Sequence, residues 1–191
     1  MRWLTLYARS RQVPASLVAV VLSAVAVWAI ARDGGGGPAD PKVPVFVLVA
    51  GVTAASTGLG GQDLALDRTA AMRWRPRRAA HVLLIGAVVG AVLLAAQTMG
   101  ADLATTAFVV RDSAGLMGLV ALGAVVCGAR YAWTPPIAWL SFSVLAPPPT
   151  SVPMQAATWM LLPPGTTTAT WTALALAVTG TAAYALAGPR R

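Results

Sequence analysis

A chain of 191 residues that is 57% apolar and only 10% charged has too few polar groups to cover a water-soluble globule of its size. Its pI near 11.3 accompanies a mean hydropathy of +0.70, and its arginines flank long uncharged runs, a pattern of membrane spans with basic loops that argues against nucleic acid as a partner. Thirteen arginines to one lysine, with no glutamate at all, is the residue usage of a GC-rich genome and raises the pI without a functional demand.

Arg2, Arg9 and Arg11 precede the first apolar run, Val13 to Ala31. This run is too long for the core of a secretory signal, and Arg32-Asp33 stands where a cleavage site needs small residues. A first membrane span is therefore expected at 13–31. Asp33 to Pro38 is a glycine-rich connection with no phosphate-binding context, since no strand leads into it. The second expected span covers 43–61.

The next segment carries Arg68, Arg73, Arg75, Arg77 and Arg78. Asp63 or Asp67 is placed to cap a short helix, Leu66, Ala70 and Trp74 recur at helical spacing along it, and Arg75-Pro76 ends it and starts the next span. A short amphipathic helix from Asp63 to Trp74, including Arg73, is expected at the membrane surface. Spans follow at 82–99 and 113–129, the latter starting just after Arg111-Asp112 and carrying Gly115 and Gly118, small residues that permit close helix approach. Cys127, the only cysteine, reads as a small buried hydrophobe.

After Arg130 the apolar stretch 131–146 begins with Pro135-Pro136, tolerated in a first helical turn, and must stop before Pro147, Pro148 and Pro149. It is expected to be a short span. The piece 152–162, with Met154 and Trp159, is closed by Pro163-Pro164 and is too short to cross, so a re-entrant or interfacial helix is expected there. The last span covers 170–187 and ends at Arg190-Arg191. Most tryptophans fall near expected span ends, where the indole favours the headgroup level.

An all-α, multi-pass, single transmembrane domain with six spans and both termini cytoplasmic follows. On that topology eleven arginines against Asp63 and Asp67 leave +9 on the cytoplasmic side, while Arg32, Lys42 and Arg111 against Asp33, Asp40, Asp102 and Asp112 leave −1 outside. Basic residues collect in short cytoplasmic loops, so the asymmetry sets the orientation.

The chain contains no phosphate-binding loop, no cluster of metal ligands and no nucleophile with an adjacent base, which excludes an ATPase or hydrolase site of its own. Ser141 and Ser143 read as structural hydroxyls, and the one histidine, His81, as an interfacial residue. With every Asp in a loop or at a span end, an ion-coupled carrier is disfavoured, because such carriers keep ionisable groups at membrane depth.

Six spans with cytoplasmic ends, an amphipathic helix between spans two and three, and a broken apolar segment before the last span resemble the membrane subunit of an ABC-2 type ABC exporter. The Arg111 to Leu116 start of span four and the tail Tyr184 to Arg191 are similar to small permeases of that kind. The resemblance implies that Asp63, Leu66, Asp67, Ala70, Arg73 and Trp74 form a coupling helix docking into ATP-binding subunits. It implies an exofacial re-entrant pair around Pro147, Pro148, Pro149, Met154 and Trp159, and packing of span four through Arg111, Asp112, Gly115 and Gly118. It further implies a second permease, the same or a different chain, membrane lipids around the spans in the cell membrane, and ATP with Mg held only by the partner. The rival readings are a non-transporting scaffold or immunity-type protein that binds a partner through its loops, and a lipid-handling enzyme, which the missing site disfavours.

Overall fold

The computed structural model describes residues 42–59, 74–98 and 103–190. The expected span 13–31, the glycine-rich connection 33–38 and the segment 62–73 lie outside the described residues. All regular structure among the described residues is helical: α1 (Lys42–Ser56) with a 3-10 turn (Thr57–Leu59), α2 (Trp74–Gln97), α3 (Thr106–Val126), a 3-10 turn (Ala129–Tyr131), α4 (Thr134–Leu145), α5 (Val152–Ala157), a further 3-10 turn (Trp159–Leu161) and α6 (Thr167–Ala187). Four of these stretches are long and apolar enough to cross a membrane: Lys42–Leu59, Arg75–Gln97, Thr106–Val126 and Thr167–Ala187.

Two boundaries differ from the sequence expectation for identifiable reasons. α2 starts at Trp74 instead of Val82, since Pro76 in the first turn forfeits no helical hydrogen bond and the arginines carry the helix out of the apolar region. α3 starts at Thr106 instead of Ser113: Thr105 Oγ1 accepts from the Phe108 N–H at 3.3 Å, and neither Gly nor Pro interrupts the chain up to Asp112. Arg111 and Asp112 are thereby drawn from the expected loop into the helix. The run 131–146, expected to be a span, yields a helix of 12 residues, which rises only about 18 Å and does not cross a core of about 30 Å by itself.

α3 is the central helix, packed on α6 along its length and also against α1, α2 and α4. Its apolar window is 67% buried against 22% for α6, so α6 keeps a broad face open, with Trp171, Leu174, Val178 and Leu186 on it. The closest approach of α3 and α6 is at Gly118 and Gly180, where a Cβ on Gly118 would meet the Leu176 carbonyl and one on Gly180 the Gly118 carbonyl. Only hydrogen side chains allow the two backbones this separation.

The C-terminal ends of α1, α3 and α6 meet the N-terminal ends of α2 and α4. Tyr184 Oη donates to the Leu59 carbonyl at 2.8 Å, His81 Nε2 lies 3.3 Å from the Gly58 carbonyl oxygen, and the Arg190 N–H donates to the Ala124 carbonyl at 3.0 Å. Gly188, at φ 71°, ends α6 beside the Arg78 guanidinium. Arg75, Arg77, Arg78, Arg130 and Arg190 thus gather at one end of the bundle, and Asp112, the one acid among the described residues, lies towards the other. Tyr184→Phe removes the buried donor to Leu59 and is expected to lower stability by about 1 kcal/mol or more, read as a fall in the thermal midpoint in detergent.

Candidate functional site

The expected break after α4 is present: Ala146 leaves the helix in an extended conformation, its N–H donating to the Phe142 carbonyl at 2.8 Å, and Pro147, Pro148 and Pro149 prevent continuation. The chain then turns back on itself. At the end of α5, the Ala157 carbonyl accepts from Trp139 Nε1 at 2.7 Å and from Ser143 Oγ at 3.3 Å, so α5 returns alongside α4. Gln155 Oε1 accepts from Thr168 Oγ1 at 3.1 Å, linking α5 to α6. Met154 is half-buried, whereas Pro147, Pro148 and Val152 stand at the exposed tip.

The 3-10 turn following α5 drives Trp159 and Met160 into the core, both at 0% exposure. Trp159 therefore does not sit at an interface as expected. Its ring lies over Gly115, with Cη2 only 2.6 Å from where a Cβ would stand, and Ala173 of α6 closes the other side of the same spot. An indole fits there because α3 presents no side chain.

Arg111 holds this hairpin to α3. Its Nη2 donates to the Leu162 carbonyl at 2.8 Å and its Nη1 to the Pro163 carbonyl at 3.1 Å, while Nε donates to Asp112 Oδ1 at 2.7 Å. The guanidinium also stands 5.1 Å from the centre of the Phe108 ring. The side chains of Arg111 and Asp112 are 7% and 0% exposed. A planar, always-charged group with five donors suits this role, since two carbonyls and a carboxylate are satisfied at once and the pair adds no net charge to the interior. Asp112 Oδ2 and Trp159 Nε1 are buried with no hydrogen-bond partner among the described residues.

Of the residues singled out from sequence, Arg111, Asp112, Gly115 and Trp159 converge on this one place, although sequence reasoning had divided them between a packing helix and an exofacial segment. Gly118 lies further along α3 at the α6 crossing. Asp63, Leu66, Asp67, Ala70 and Arg73 are outside the described residues, and Trp74 begins α2. Cys127 caps the end of α3 and is exposed, not buried as expected. The bonds of Trp139 to Ala157 and of Tyr184 to Leu59 and the close approach at Gly180 have no local signal in the sequence, and the one signal for the clamp was an Arg-Asp pair embedded in apolar sequence.

The arrangement holds a hairpin in place. Ser141 and Ser143 both donate to main-chain carbonyls at 2.9 Å, those of Ile137 and Trp139, and His81 is at the basic end. Among the described residues no three His, Cys or carboxylate side chains converge to ligate a metal. No family model matches the chain, and no curated protein or solved structure matches it at a significant level.

Proposed function

We propose that this chain is a membrane-spanning permease subunit of an ATP-driven exporter of the ABC-2 kind, placed in the plasma membrane with its basic end cytoplasmic. On this reading it forms the translocation pathway with a second permease, and separate ATP-binding subunits hold the ATP and Mg. The carrying observation is the hairpin of α4, α5 and the Trp159–Leu161 turn, folded back against α3 and α6 immediately before the last long helix, where ABC-2 permeases have paired re-entrant helices.

The stems of the 60–73 segment support the same reading. Leu59 and Trp74 flank it at the basic end, and Leu59 is tied to α6 through Tyr184. On this reading a push on that segment would reach α1, α2 and α6 together. α6 crosses α3 backbone to backbone at Gly118 and Gly180, a contact suited to a pivot, and on the far side of the pivot α3 and α6 grip the hairpin. Burial of Asp112 removes the premise that every acid lies outside the spans. An ion-coupled carrier nevertheless needs a carboxylate open to its pathway, and Asp112 is enclosed and tied to Arg111.

The test is recruitment of an ATPase. Wild type coexpressed with the ATP-binding protein of its genomic neighbourhood is expected to copurify with it and to support ATP turnover in nanodiscs. The double variant Asp63→Lys/Asp67→Lys is expected to lose most of that turnover at normal expression, because two positive charges then replace two acidic groups at a partly desolvated interface. A wild-type protein that recruits no ATPase makes the scaffold the better account.

A further inference from the structure

We infer that the crevice between α2, α3 and α6 is a binding site for an anionic phospholipid, with one acyl chain in the crevice and the phosphate on Arg75 and Arg78. This inference rests on the long helices crossing a bilayer and is independent of the transport reading. The crevice has a volume of about 370 Å³, within the range of ~300–1,000 Å³ common for ligand sites. Val82, Gly86, Gly90 and Leu94 of α2 form one wall, faced by Ala114 of α3 and Ala177 of α6. Gly86, Gly90, Ala114 and Ala177 keep the slot open between the helices, and the stretch of α2 from Val82 to Leu94 rises about 18 Å, the scale of an extended acyl chain. The slot is open at its rim, where Leu83 is 61% and Val110 57% exposed.

The wall is apolar apart from the hydroxyls of Ser113 and Thr181, and Ser113 Oγ is turned to the Val110 carbonyl at 3.2 Å. Water gains little there, while a lipid chain gains dispersion contacts and replaces nothing polar.

Charge at the mouth selects the headgroup. Helical spacing continues the lining stripe from Val82 back through Arg78 to Arg75, whereas Arg77 points away from it. Arg78 lies against Gly188 at the end of α6, which places its guanidinium between the two helices that bound the slot. Neither Arg75 nor Arg78 forms an ion pair among the described residues. Two guanidinium groups that form no ion pair among the described residues, at the foot of an apolar interhelical slot, match a phosphodiester carrying net negative charge and give no advantage to a zwitterion.

The experiment is native mass spectrometry of the full-length protein in detergent, titrated with palmitoyl-oleoyl phosphatidylglycerol or its phosphatidylcholine counterpart. Wild type is expected to retain the glycerol lipid about tenfold better. Arg75→Gln/Arg78→Gln should bring the two lipids to near-equal retention, and Arg77→Gln should leave the preference in place. Ala87→Leu/Ala114→Leu, which fills the slot from two exposed positions, should lower retention of both lipids several-fold. Equal retention by wild type, an unchanged preference in the Arg75/Arg78 variant, or full retention in the filled slot overturns the site. So does displacement of the glycerol lipid by millimolar inorganic phosphate, which would assign the arginines to a free anion. Flotation with vesicles of the same lipids reports insertion separately, so failure of the membrane reading is recognised as such.

Discussion

Gly180→Leu is expected to abolish the packed bundle, leaving protein that enters detergent but unfolds with a loss of about 3 kcal/mol or more. A single added Cβ at this position already falls on the Gly118 carbonyl, and one on Gly118 falls on the Leu176 carbonyl, so the clash is with backbone and no rotamer relieves it. Separation of α3 from α6 would also release Trp159, which is seated against Gly115 and Ala173. Gly180→Ala should cost about 1–3 kcal/mol on the same grounds. Ala182→Leu, on the exposed face of α6, should change stability by no more than about 0.5 kcal/mol. Thermal unfolding followed by size-exclusion chromatography reads all three, and a Gly180→Leu protein as stable as wild type would mean the two helices do not cross here.

Arg111→Ala is expected to cost about 3–5 kcal/mol, because it leaves the carboxylate of Asp112 enclosed without its counter-ion and takes the donors from the Leu162 and Pro163 carbonyls. Arg111→Met/Asp112→Leu removes both charges and keeps the volume, so it should recover most of the loss in global stability. The hairpin has a separate signature. Proteolysis at 146–151 should be faster in both variants, since neither retains the bonds from guanidinium to main chain that anchor the far end of the hairpin. If the double variant is as unstable as the single one, the charge pair is not the source of the effect and the carbonyl contacts carry it alone.

Much of the chain's local structure was legible in its sequence because the signals are local. Pro147, Pro148 and Pro149 must end a helix wherever they occur, Pro135-Pro136 can only begin one, and uncharged runs around 48, 89, 120 and 178 are apolar on every face. The start of α3 was not legible, because Arg111-Asp112 reads as a loop in an apolar protein unless the carbonyls of Leu162 and Pro163 are known to be within reach. Trp159 was misread for the same reason: the preference of an isolated indole is the headgroup level, and only the bare surface of α3 at Gly115 makes an interior position better.

By itself the sequence determined helicity, the positions where helices must stop and the segregation of arginine from long apolar runs, all of which depend on residues near one another in the chain. Tertiary structure alone decided that α3 is central, that α6 touches it through Gly118 and Gly180, and that Arg111, Asp112, Gly115 and Trp159 form one clamp on a folded-back hairpin. Those contacts join segments some 50 residues apart, such as Arg111 and Leu162. Each exists because a gap left by a missing side chain, or a carbonyl freed at the end of a turn, meets its complement only when the helices have been laid together.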